Sequence, residues 1–126
     1  MESVSEDQVR FYQLLVKTAA SDLIQLGEWF LCSVTGWKDN TTSHFLAAWS
    51  WRLKQQVLLV VLNFGESNSQ GLVRLPWDSL AGSNWRLVDL IKGDVFERSG
   101  DDMVSSGLYV DLPPSDFHLL WFSRKI

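Results

Sequence analysis

The apolar run at residues 57–62 (VLLVVL) dominates the strand-like part of the chain. It contains three valines and closes on Asn63-Phe64-Gly65. Six residues are far fewer than the roughly 20 that span a bilayer. β-Branching and the Asn/Gly closure argue against a helix. The run reads as a central strand with apolar side chains on both faces, which requires a cover on both faces. One cover is the domain's own core. Val57, Leu59 and Val61 share one face by period two and are the candidates for a docking strand that meets the other cover.

Before this run, residues 5–24 carry a helical stripe of Val9, Tyr12, Val16, Ala19 and Leu23, with Ser5-x-x-Gln8 as a capping box and Gly27 as the stop. From residue 28 the period changes to that of strands. EWFLCSV (28–34), SHFLAAWSWR (43–52) and the central run form the first three, the last two as an antiparallel hairpin. In the second, Phe45, Ala47, Trp49 and Trp51 share a face. GLVRL (71–75) ends at Pro76, and residues 77–82 form a loop with room for one helical turn. NWRLVDLI (84–91) alternates, Lys92-Gly93-Asp94 turns, and residues 95–98 return. Met103-Val104 and LYVDL (108–112) read as strand on either side of Ser105-Ser106-Gly107, and FHLLWFS (117–123) closes the chain. About eight short strands separated by turn residues predict an antiparallel Greek-key β-sandwich behind one N-terminal α-helix. The division is residues 1–26 for the helix and 27–126 for the all-β domain.

Composition narrows the classes. A chain of 126 residues that is 46% hydrophobic is one folded domain. The net charge of −4 and the lack of a basic run longer than Arg124-Lys125 argue against a nucleic-acid partner. No segment is long and apolar enough for a membrane partner. The acidic start MESVSEDQVR is unlike a signal peptide, so a cytoplasmic location is expected. The single cysteine, Cys32, allows no intrachain disulfide and sits in an apolar context typical of a core thiol.

Chemistry is sparse. His44 and His118 lie far apart without partners at ligand spacing, so no metal site is expected. No phosphate loop, dinucleotide fingerprint or nucleophile elbow occurs, and no cofactor is expected. Asp101-Asp102 sits in a turn, and nothing opposes Asp89 to Asp111 as glycoside hydrolysis requires of its two carboxylates. No catalytic residue is assigned. Two aromatics lie in loops, Trp37 and Trp77. Each either stacks on a sugar ring or caps the domain's own core or an interdomain joint.

Taken together, VLLVVLNFG, SQGLVRLPW, WRLVDLIKGDVFER, SSGLYVDLPP and FHLLWF occur in this order over residues 27–123. The arrangement resembles the C-terminal all-β domain of α-amylase-family glycoside hydrolases. Phe11-Tyr12-x-Leu14-Leu15 before Gly27-Glu28-Trp29 is similar to the last helix of the preceding catalytic barrel. The resemblance implies a sandwich packed against a (β/α)8 barrel that acts on α-glucosidic bonds, with α-glucan as a further possible partner. A barrel needs about 250 residues, so the resemblance carries no catalytic residue onto this chain. The leading expectation is a non-catalytic accessory domain. An α-glucan-binding module using Trp37 or Trp77 comes second and an Ig-like interaction domain third, with a stand-alone hydrolase last.

Overall fold

The computed structural model describes Asp22, Leu23 and residues 25–125. Its strands are β1 (Glu28–Thr35), β2 (Leu46–Leu53), β3 (Gln56–Asn63), β4 (Ser69–Arg74), β5 (Asn84–Asp89), β6 (Val95–Ser99), β7 (Leu108–Leu112) and β8 (Phe117–Lys125). A short helix, α1 (Gly100–Ser105), lies between β6 and β7, and Thr42–Phe45 and Asp78–Leu80 are 3-10 turns. The helix expected over residues 5–24 falls almost wholly outside the described residues. At its end the Gly27 amide donates to the Leu23 carbonyl at 2.9 Å, just before β1 starts.

The expected two-sheet sandwich is not what forms. All eight strands belong to one antiparallel sheet, in the order β6-β5-β8-β3-β2-β1-β4-β7. The reason lies in β1. Residues 28–32 pair with β2, whereas residues 33–35 pair with β4. One strand bonded to different neighbours along its two halves joins what would otherwise be two sheets. The ladder then curls into a half-barrel whose edges, β6 and β7, do not pair. Spacing along a sequence counts strands, but it cannot tell whether one strand serves two neighbours.

The central position of residues 57–62 holds: β3 pairs with β2 on one side and β8 on the other. Val57, Leu59 and Val61 face the concave core, where they meet Ala48, Leu87, Leu120 and Phe122. Met103 and Val104 are not strand but part of α1, and Met103 is buried in the core. Ser99 caps this helix by accepting from the Asp102 amide at 3.3 Å, and Asp101 and Asp102 favour its first turn. Asn63 anchors the end of β3. Its Nδ2 reaches the carbonyls of Ser67, Leu112 and Pro113 at 2.9, 2.9 and 3.0 Å, and its Oδ1 accepts from the Gly65 amide. The residue is wholly buried, so it ties the β3–β4 turn to the end of β7.

Candidate functional site

The register decides which side chains leave the core. Residues opposite one another in a ladder share a face. Trp29 opposes Trp51, and Leu31 opposes Trp49. Trp51 opposes Leu58, and Trp49 opposes Val60. Leu58 and Val60 in turn oppose Trp121 and Leu119 of β8. These residues point away from the concave core and form one apolar outer face across β1, β2, β3 and β8. Trp29 and Leu31 are 57% and 62% exposed, far beyond what a core strand shows. Leu58 is buried, as is Leu23, and neither belongs to the concave core cluster, so this face is not open along its whole width. Towards β5 and β6 the outer face turns ionic, with Glu97 taking contacts from Arg86 and Lys125.

This placement corrects the docking strand. Val57, Leu59 and Val61 are 2%, 0% and 0% exposed and point into the core, so no partner can reach them. The outward residues of β3 are Leu58, Val60 and Leu62. A doubly apolar run gives the period but not which register faces out, and only the pairing of Trp49 and Trp51 reveals it.

Trp77 is also a core residue. It is buried, its Nε1 donates to Ser50 Oγ at 3.1 Å, and Phe30 meets it edge-on at 5.7 Å. It offers no platform to a ligand. Trp37 is different: 44% exposed, its ring lies 6.3 Å from that of Tyr109, which is 47% exposed. The Tyr109 hydroxyl donates to Gln70 Oε1 at 2.9 Å. Tyr109 was not among the sequence candidates. Its alternation in LYVDL marks an outward position, but only the β4–β7 ladder brings it to Trp37.

Beside this pair, the open seam between β6 and β7 holds a cleft of about 380 Å³. Its floor is apolar, with Leu87, Leu108, Val110 and Leu120, and its rim carries Asp94, Arg98 and Asp111. Two further carboxylates, Asp116 in the lining and Asp89 against the lining residue His118, are occupied by the fold. Asp89 is fully buried, accepts from the Ile91 and Lys92 amides at 3.0 Å, and meets His118 Nδ1 at 2.9 Å. Asp116 pairs with Lys92, and that hydrogen bond is the main cause holding its carboxyl below the ordinary carboxylate range. His118 thus packs between Asp89 and the Phe96 ring, 5.8 Å away. His44 lies in the Thr42–Phe45 turn. Among the described residues no group of three His, Cys, Asp or Glu side chains could hold a metal ion, and no helix is long and apolar enough to cross a membrane. Burial raises the Cys32 thiol pKa, with a smaller opposing effect from Ser50.

No family model matches the sequence, and no curated protein matches it. Among solved structures the chain is similar to a candidate alpha-N-acetylgalactosaminidase from Bacillus halodurans C-125, which by that name is a glycoside hydrolase. The two are 13% identical with a TM-score of 0.49, and the match covers 78% of this chain but 22% of the other. This chain therefore corresponds to less than a quarter of the length of that protein.

Proposed function

We propose that this chain is a non-catalytic accessory domain of an α-amylase-like glycoside hydrolase, packed by its outer sheet face on the catalytic barrel. The observation that supports this reading most is the apolar outer face on β1, β2, β3 and β8, with Trp29 and Leu31 more than half exposed. Isolated exposed apolar residues are ordinary, but a contiguous patch rimmed by polar groups marks a contact surface. The sequence resemblance names the partner that such a face would meet. Burying about 600 Å² of apolar surface is worth about 15 kcal/mol gross, from which association costs are subtracted. The test adds the purified chain to an α-amylase-family barrel lacking its C-terminal domain. The expected result is a higher melting temperature and better solubility of the barrel, both lost with Leu31→Lys. A barrel indifferent to the chain in melting temperature, solubility and activity overturns the reading.

A second reading is favoured by one observation. Trp37 stands half exposed beside the half-exposed Tyr109, which lines the seam cleft. Two neighbouring rings beside the Gln70 amide suit the apolar face and hydroxyls of a sugar. Titration with maltooligosaccharides would quench Trp37 fluorescence if the rings form a platform, and Trp37→Ala would abolish the change. An unaltered spectrum at millimolar sugar removes this reading.

A further inference from the structure

We propose that a second cleft, at the β2–β3 turn, is an oxyanion site that takes the phosphoryl group of a small phosphorylated molecule. The cleft measures about 270 Å³ and lies at the opposite end of β3 from Asn63. Three cations line it: Arg52 near the end of β2, Lys54 in the turn, and Arg124 near the end of β8. Among the described residues no aspartate or glutamate contributes to the lining. In a chain of net charge −4, three cations gathered with no carboxylate among the described lining residues are a local departure from the whole.

The two guanidiniums are held by neutral groups. Arg52 Nε donates to the Lys54 carbonyl at 2.9 Å, and its guanidinium lies 5.5 Å from the centre of the Trp77 ring. Arg124 Nη2 donates to Gln55 Oε1 at 3.0 Å. Among the described residues, the ion pairs within 4.0 Å are Arg86–Glu97, Lys92–Asp116, His118–Asp89 and Lys125–Glu97, and none uses these three. Each guanidinium is therefore oriented by a neutral acceptor, and among the described residues neither lies within 4.0 Å of a carboxylate, although Glu28 stands opposite Arg52 in the β1–β2 ladder. Two planar forks with donors to spare match a tetrahedral oxyanion, and an ammonium adds a point charge. Like charges that line one cleft repel one another, and a bound anion relieves that repulsion.

The remaining lining fits the same ligand. Ser79 brings a hydroxyl. Val57, Leu80 and Trp85 make a buried apolar floor, which lowers the local dielectric and strengthens charge pairing at the mouth. The cleft falls below the roughly 300 Å³ at which pockets for drug-sized ligands begin, so it suits a small molecule.

The experiment titrates the whole chain with inorganic phosphate at constant ionic strength. It follows Trp fluorescence and the arginine Nε resonances. Saturable binding is expected, with a Kd of about 1 mM or tighter. Lys54→Gly and Arg124→Gln should each weaken it about tenfold, the scale of one lost charged hydrogen bond. Lys54 has φ 57, a conformation that glycine adopts without strain, so Lys54→Gly should fold at least as well as the parent, and its melting curve checks this. Arg74→Gln, an exposed cation bonded to the Ser105 carbonyl, should bind phosphate as the parent does. Non-saturable binding up to about 10 mM overturns the proposal. So does parent-like binding by Lys54→Gly and Arg124→Gln, or an equal loss in Arg74→Gln.

Discussion

Trp37 and Trp77 look alike in the sequence, each a tryptophan in a polar or Pro-flanked loop, yet they carry opposite energetic weight. Trp77 fills the core and satisfies its indole N–H on Ser50. Replacing it with alanine should cost about 3–5 kcal/mol, read as a lower urea midpoint. Trp37→Ala should stay within about 0.5 kcal/mol in the same measurement, because its ring is partly in water already. Asn63 has more to lose than a hydrophobic contact. Its Nδ2 faces three carbonyl oxygens in a dry site, so Asn63→Asp would set a carboxylate against them. The expected loss is about 3 kcal/mol or more, measured by chemical unfolding. Gly100 has a purely steric role. A Cβ there would lie 1.7 Å from the Leu80 carbonyl oxygen. Gly100→Ala must push α1 away from the Asp78–Leu80 turn, and loss of amide protection at Gly100, which donates to the Ser83 carbonyl at 2.8 Å, would report it.

At the scale of elements, the strands were largely legible and their joints were not. The run at 57–62, the turn at Lys92-Gly93-Asp94 and the strand at 108–112 all carry local signals that tertiary contacts leave unchanged. Met103-Val104 misled because two apolar residues fit strand and helix equally well. The Ser99 cap and the acidic first turn decide between them. The division of β1 between β2 and β4 leaves no mark in its own sequence, since either half of EWFLCSVT is an acceptable strand. The candidate site was legible to the same degree. The doubly apolar strand was visible, but its outward register depends on the pairing of Leu58 and Val60 with Trp51 and Trp49, and the meeting of Tyr109 with Trp37 depends on the ladders that join β1, β4 and β7. The edge strand β6 offers a pH test. Glu97 accepts from Lys125 at 2.9 Å, and this hydrogen bond first, then the charge of Lys125, lowers its carboxyl pKa from the ordinary 4.5. A lowered folded-state pKa means that the ionised form is favoured by folding. Its stabilisation is therefore present above the ordinary carboxylate pKa and lost as pH falls through the folded value. Stability should decline in acid below pH 4.5, and Glu97→Gln should remove its share of that decline. Proton titration of Glu97 at or above its ordinary value would contradict the pairing.

The whole molecule presents two apolar surfaces with different consequences, and the same pair of strands can tell them apart. The concave face is the core, and Leu59 lies in it with no exposure. Leu59→Ala should cost about 2–5 kcal/mol through a cavity, whatever the solution contains. The outer face is closed at Leu58 but open at Leu31, which is 62% exposed. Leu31→Lys should change stability by about 0.5 kcal/mol at most, since a charge at that position meets water. The same change should reduce binding of a hydrophobic dye and suppress concentration-dependent association, both of which follow from an open apolar patch. The two readouts separate folding from docking. If Leu31→Lys lowers the melting temperature as far as Leu59→Ala does, the outer face belongs to the domain's own stability and the barrel-docking reading fails. If stability stays level while dye binding and association fall, the face is a contact surface in search of its partner.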